Sequence, residues 1–554
     1  MTITPWWRDA VIYQVYPRSW ADADGDGIGD LPGITARLPH LVDLGVDAVW
    51  LSPFYTSPQH DAGYDVADYR DVDPLFGTLG DFDALTSRAH ELGLRVIVDI
   101  VPNHSSSEHE WFRAALAAPP GSPERGRYIF REGTGPSGDE PPNNWPSRFG
   151  GPAWTRVTEP DGTPGQWYLH LFDSSQPDFD WTKQEVRDEL EDVIRFWLDR
   201  DVDGFRIDVA HGLVKADGLP DTDLALDQDV DATALAPMWD QPGVHDVYRS
   251  WRRLTDSYGR DGEDADRILC AEAWVLPGEA LARYVRHDEL HQSFNFEYLM
   301  TPWLAADQRA TITHSLAQAA AVGAPQTWVL SNHDVVRHAS RLGFDQTPGL
   351  QRFDGIGPDS PQPDAVLGLR RARAATAVML ALPGSAYLYQ GEELGLPEAT
   401  HLPDDARQDP TFARTGGETV GRDGCRVPVP WEEGAPSYGF GPGDHPWLPQ
   451  PPEYGALAVD RQTSAPDSTL ELYRTLLAVR REHRLGRGEL TWLDGYPDDV
   501  IAFSVTTTDG PVTVLANLGP EPVALPAGST VLVSSRPQDA DAVLRSDEAA
   551  WLRM

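Results

Sequence analysis

The chain has 554 residues, with 86 acidic against 45 basic side chains, so its formal net charge at pH 7 is -41. That length exceeds what one hydrophobic core serves, so two or three domains are expected, and a 40% hydrophobic content excludes bulk disorder. The negative field repels phosphate backbones and anionic lipid, which excludes a nucleic-acid partner and an anionic membrane surface but is indifferent to a neutral ligand.

Two cysteines, Cys270 and Cys425, make no disulfide framework. The opening "MTITPWWRDAVIYQVYPRSW" lacks a basic n-region followed by an apolar h-region. No apolar run reaches the roughly 20 residues a membrane helix needs. The most apolar stretch, Ala374 to Tyr389, is broken by Pro383 and Gly384. The expectation is a cytoplasmic protein with no membrane partner, compatible with a monomer or a homodimer.

In chain order, Val11–Tyr16 reads as a first apolar strand. "DADGDGIGDLPG" (22–33) follows, with Asp22, Asp24, Asp26 and Asp30, and Gly27 at its sixth position, a calcium-loop spacing. A sensor loop needs a bidentate Glu at position twelve, and here that position is Gly33. "ARLPHLVDLGVDAVWLSP" then gives Leu38, Leu41 and Val42 at helical spacing, Gly45, and a strand over Ala48–Leu51. The grammar repeats in "DFDALTSRAHELGLRVIVDIVPNH": a helix to Leu92, a Gly93 cap, and a strand from Arg95 to Val101.

Between His104 and about Asp173 the rhythm fails in a Pro/Gly/Asn-rich, aromatic-studded stretch too long for a loop, which predicts a small inserted domain. The rhythm resumes with a capping box at Thr182 and Glu185, a helical face of Val186, Leu190, Val193 and Trp197, and the strand "VDGFRIDVA". Further strands are expected within 267–274, 327–334 and 385–393. Helices alternating with continuous apolar strands predict an α/β fold with a parallel sheet, a (β/α)8 barrel, with a doubly wound sheet as the alternative. From about residue 487, after an amphipathic helix around Leu470–Val479, strands alternate with turns. The expected organisation is a barrel over 1–104 and 173–486, an insertion after strand 3 over 105–172, and a C-terminal antiparallel β-sandwich over 487–554.

The strands end in residues that an apolar strand has no structural reason to carry: Asp99, Asn103 and His104; Arg206 and Asp208; Glu272; His333, Asp334 and Arg337. In a barrel such ends converge on one site. Several acids at one site suit glycosidic cleavage, in which one carboxylate attacks or stabilises and another, kept protonated, donates to the leaving oxygen. The alternative for each acid is a helix cap or an arginine partner.

"DIVPNH" (99–104), "GFRIDVAHG" (204–212), "AEAW" (271–274) and "SNHD" (331–334) resemble, in order, the four signature segments of the α-amylase superfamily, glycoside hydrolase family 13, and "QPDFD" (176–180) is similar to its fifth. "YQVYPRSWADADGDGIGDLPGI" and "GYDVADY" resemble the α-glucosidase and oligo-1,6-glucosidase branch. The resemblance implies Asp208 as nucleophile, Glu272 as acid/base and Asp334 as the third carboxylate, with Tyr64, His104, Arg206 and His333 around the sugar. It implies that Asp65 and Arg422 grip the terminal glucose in an exo-acting pocket, with Arg426 as a competitor for the arginine role. It further implies a structural Ca²⁺, or Mg²⁺, on Asp22, Asp24, Asp26, Asp30 and the Ile28 carbonyl, and no organic cofactor. The implied activity is retaining hydrolysis of small α-glucosides or oligosaccharides. Relatives preferring α-1,6 bonds often carry Val after the nucleophile, as Val209 does here, but "AHGLVK" departs from their pattern, and α-1,4 is the preferred reading. A transglucosylase or sugar isomerase shares the triad and is the enzymatic alternative. A dead barrel serving as a binding or transporter subunit is the non-enzyme alternative, disfavoured because the triad is intact. Residues 343–364 read as an insertion beside the pocket mouth.

Overall fold

The computed structural model describes residues 5–222, 236–259, 267–276, 278–348, 355–537 and 542–554. Part of the insertion expected at 343–364, residues 349–354, therefore lies outside the described residues. Eight strands form one parallel sheet: β1 (Val11–Val15), β2 (Ala48–Leu51), β3 (Arg95–Ile100), β4 (Gly204–Ile207), β5 (Ile268–Ala271), β6 (Gln292–Ser293), β7 (Thr327–Val329) and β8 (Ser385–Tyr389). Their spatial order, β6-β5-β4-β3-β2-β1-β8-β7, is sequential around a ring. A doubly wound sheet would reverse order partway, so that alternative falls. Between β6 and β7 the Asn295 N–H donates to the Thr327 carbonyl at 3.2 Å, across the remaining seam.

Strands covered on both faces read as unbroken apolar runs, which is why most were visible. β6 was not, because its two residues, Gln292 and Ser293, are both polar; the Gln292 amide instead donates to the Trp7 carbonyl and its oxygen accepts from the Tyr387 hydroxyl. Inside the ring Ile12, Trp50, Ile97, Ile268, Phe294 and Tyr387 pack together, and a larger core fills the space between strands and helices. Trp197, on the predicted helical face, lies edge-on to Phe54 and Phe82. The expected capping box at Thr182 is not formed. The helix runs Gln184–Leu198 with Lys183 at its N-cap and no side-chain cap, while the Thr182 hydroxyl turns back to Asp180. The reciprocal box is instead at Thr78 and Asp81, heading Leu79–Glu91.

Between β3 and β4 the chain leaves the barrel to build a three-stranded antiparallel sheet from Phe130–Arg131, Trp154–Thr158 and Pro164–Leu169. It returns through Asp178, which bridges to His104 at the exit of β3. The C-terminal region holds a five-stranded antiparallel sheet and a two-stranded pair. Trp551 fastens it to the barrel by donating to the Ala377 carbonyl at 2.8 Å.

Candidate active site

The C-terminal ends of β3, β4, β5 and β7 meet around Arg206. Its Nη1 donates to Asp99 Oδ1 at 2.9 Å and to Asp208 Oδ1 at 2.6 Å, and its Nη2 stands 3.8 Å from Glu272 Oε2. Arg206 and Asp208 are two residues apart at the end of β4, so the strand's alternation puts both side chains on one face. One guanidinium thus faces three carboxylates, all with less than a tenth of their surface exposed. Burial pushes the Asp208 and Glu272 carboxyls up, Arg206 pulls them back, and for Asp208 the neighbouring Glu272 and Asp99 add to the rise. Asp99 is raised by the same burial, although Trp50 and Tyr64 also donate to its Oδ2, each at 3.2 Å.

Asp334 has the opposite surroundings. Its Oδ1 accepts from Arg422 at 2.9 Å and Arg426 at 3.0 Å, and its Oδ2 lies 3.2 Å from His333 Nε2. Burial would raise it, but His333 and the two arginines outweigh that and hold it below the usual carboxylate range. The Gln14 side-chain amide nitrogen lies 2.7 Å from His333 Nδ1 on the other side of the ring. The Tyr64 ring stacks on His333, with centroids 5.3 Å apart. His104 rests against the Tyr64 carbonyl and Gln176, and burial lowers it to about 4, so it is neutral near pH 7.

Asp65 departs from the expected pairing. Its oxygens accept from the Ser57 hydroxyl and the amides of His60 and Asp61, and it does not meet Arg422. Arg422 donates instead to Asp61 Oδ1 at 2.9 Å and to Asp409 Oδ2 at 2.6 Å. Asp65 shapes the loop; Asp61 holds the arginine. Asp61 and Asp409 escaped sequence reading because both sit in loops, where no periodicity marks a side chain's direction. Lys215 was also missed. It is buried with ion and hydrogen-bond contacts at 2.8 Å to Asp178 Oδ2 and 2.7 Å to Asn103 Oδ1, joining the fifth segment to the β3 exit. Its signal was a lysine in an otherwise apolar stretch after β4.

In the loop after β1, carboxylate oxygens of Asp22, Asp24 and Asp30 lie within 4.8 Å of one another. Asp26 is exposed and is not part of that trio; its Oδ1 accepts from the Ile28 amide at 2.8 Å. Asp30 also caps the following helix through the Gly33 amide. Burial raises Asp26 and Asp30, and neighbouring Asp24 adds to each. Three close acids with hard oxygen donors and like-charge repulsion suit an oxygen-seeking divalent cation.

The chain matches the family described as "Alpha amylase, catalytic domain" over residues 14–488. It is 39% identical over 507 residues to a probable alpha-glucosidase of Rhizobium meliloti (strain 1021), covering 88% of this chain and 85% of the relative. To an oligo-1,6-glucosidase of Parageobacillus thermoglucosidasius it is 34% identical over 509 residues, covering 86% and 84%. Among solved structures it resembles the alpha-glucosyl transfer enzyme XgtA with a TM-score of 0.83 and 36% identity, covering 100% of both chains. It also resembles the trehalulose synthase MutB from Pseudomonas mesoacidophila MX-45, with a TM-score of 0.82 and 32% identity over 99% of each. With the barrel, the insertion after its third strand and the carboxylates at its strand ends, these likenesses settle the family: the chain belongs to the α-amylase family of glycoside hydrolases.

Proposed function

We propose that the protein is a retaining, exo-acting α-glucosidase that releases α-1,4-linked glucose from the non-reducing end of maltose and short malto-oligosaccharides. The observation that carries this reading is Asp208 and Glu272 facing one guanidinium, while Asp334 is held ionised by a separate arginine pair. Glu272 gives its proton to the glycosidic oxygen as the bond from that oxygen to the anomeric carbon breaks, the electron pair leaving with the oxygen. Asp208 forms a bond to the anomeric carbon from the opposite face, giving a covalent glucosyl ester. Water, deprotonated by Glu272, then attacks the same carbon and releases Asp208. Asp334, anionic, stabilises the positive charge that develops on the sugar in both steps.

Exo action is supported by Arg422, which ties Asp61, Asp409 and Asp334 together and makes a charged end wall suited to the hydroxyls of one terminal glucose. The acids of the β1 loop are proposed to hold a structural Ca²⁺ or Mg²⁺ through Asp22, Asp24 and Asp30, with Asp26 and the Ile28 carbonyl as further ligands. A bound cation would neutralise that loop and brace the start of the first barrel helix.

The likeness to a trehalulose synthase favours a second reading, in which a bound sugar rather than water accepts the glucosyl group. A product time course with maltose, isomaltose, sucrose and trehalose separates the two. Free glucose from maltose supports hydrolysis of α-1,4 bonds; a rearranged disaccharide from sucrose supports isomerisation.

A further inference from the structure

Val209, the residue after Asp208, has φ +45°, a left-handed conformation in which a β-branched side chain is a genuine outlier. The ladder is regular up to Asp208, whose N–H donates to the Ile100 carbonyl on β3 at 2.9 Å. At Val209 it breaks. The Val209 N–H donates to Glu272 Oε2 at 2.8 Å instead of to a strand carbonyl.

The surroundings over-determine this turn. The Gly212 amide donates to the Val209 carbonyl at 2.8 Å, and the Tyr248 hydroxyl donates to the Ala210 carbonyl. The Val209 side chain packs in a cluster with Met238 and Trp239. A Cβ at Gly212 would lie 2.7 Å from Val209 Cγ1 and 2.8 Å from the Trp239 ring, so a larger residue there would displace the packing around Val209. The main chain of Glu272 is held by the same two strands' ends: its carbonyl accepts from the Ala210 amide at 2.8 Å and its N–H donates to Ile207 at 2.9 Å.

From this geometry, and resting on Glu272 as proton donor, we infer that the backbone amide of Val209 is the positioning group of that donor: it fixes the carboxyl through Oε2 and leaves Oε1 to deliver the proton. An amide N–H is only a donor, so the oxygen it binds cannot at the same time present a proton to it. Oε2 also faces the Arg206 guanidinium, which adds to the preference. The strained residue thereby links the two catalytic carboxylates through consecutive positions of one turn.

The other charged or titratable groups around Glu272 are Arg206 and Asp208 from the end of β4, Asp334 after β7, and Tyr248 from the helix Val244–Asp256. All stay in place when a single backbone atom is exchanged. Replacing Val209 by its α-hydroxy acid, so that an ester oxygen stands where the N–H was, removes the hydrogen bond and keeps the side chain. Since the lost bond favours the carboxylate form, Glu272 should keep its proton to higher pH. The alkaline limb of kcat/KM for p-nitrophenyl α-glucoside should then move up by about half a unit or more. Val209→Gly relaxes φ but keeps the N–H, and its limb should stay where the wild type has it. An ester variant with an unmoved limb and native circular dichroism overturns the inference, as does a glycine variant that moves it equally. Glu272→Gln assayed with 2,4-dinitrophenyl α-glucoside, whose leaving group needs no proton, tests the premise separately. An alkaline limb that survives in that variant removes the donor role of Glu272, and the inference with it.

Discussion

Two arginine clusters face each other across the site, and they balance charge differently. Around Arg206, one guanidinium serves Asp99, Asp208 and Glu272, and burial raises all three. Around Arg422 and Arg426, two guanidiniums serve Asp334, Asp409 and Asp61, and Asp334 and Asp409 are held below the ordinary range. Both clusters are acid-rich. With one arginine, burial stays the largest influence on Asp99, Asp208 and Glu272; with two, Asp334 and Asp409 are held anionic, although Asp61 is still raised. A retaining glycosidase needs both, a protonated donor on one side and a permanent anion on the other.

The largest break in this comparison is Asp208→Asn, which keeps shape but cannot form the ester. Turnover of p-nitrophenyl α-glucoside should fall by at least about 10⁴-fold with Tm nearly unchanged. A drop of under tenfold would mean Asp208 is not the nucleophile. Arg422→Lys comes next, since an ammonium cannot span Asp61, Asp334 and Asp409 as the fork does. We expect a loss of about 10²-fold in kcat/KM, larger for maltose than for the aryl glucoside, because the end wall for the terminal glucose is disturbed.

Chelation sharpens the comparison from outside the site. Removing a divalent cation with EDTA should lower Tm by a few degrees, through mutual repulsion of Asp22, Asp24 and Asp30, and calcium should restore it. Residual activity at temperatures below unfolding should persist. Activity lost well before unfolding would contradict a structural role.

The barrel was legible because strands covered on both faces leave apolar runs of a fixed kind, and the carboxylates were legible because they interrupt those runs at their ends. Legibility stopped where the polypeptide left the ladder. Gln292–Ser293 carried no apolar signal, and the Arg422 partner moved from Asp65 to Asp61 because loop conformation decides which of two nearby acids points inward. Thr182 failed as a cap because the helix begins one residue later, with Lys183 at its N-cap, and the Thr182 hydroxyl donates to Asp180 instead. The consequence of Val209 was also unreadable: its identity was plain, but its positive φ is imposed by Gly212, Tyr248 and Trp239 from the surrounding fold.

The smallest effect separates members of the second cluster by sign. Asp61 is raised to about 6 by burial, despite Arg422 at 2.9 Å. Its folded value exceeds its unfolded one, so its contribution to stability is fully present below the unfolded value, near 3.9, and is lost as pH rises to about 6. Asp334 and Asp409 run the other way. Their folded values are depressed, so their contribution is present above the unfolded value and lost as pH falls through the acid range. Between about pH 5 and 6 those two are ionised in both states and flat, leaving Asp61 as the member of this cluster whose protonation still changes. Asp61→Asn should therefore make the decline of Tm with pH across that window shallower, by roughly one or two degrees in a chain of this size. An unchanged slope would show that Arg422 keeps Asp61 ionised throughout, which would make the second cluster uniformly anionic and the contrast with the Arg206 cluster sharper still.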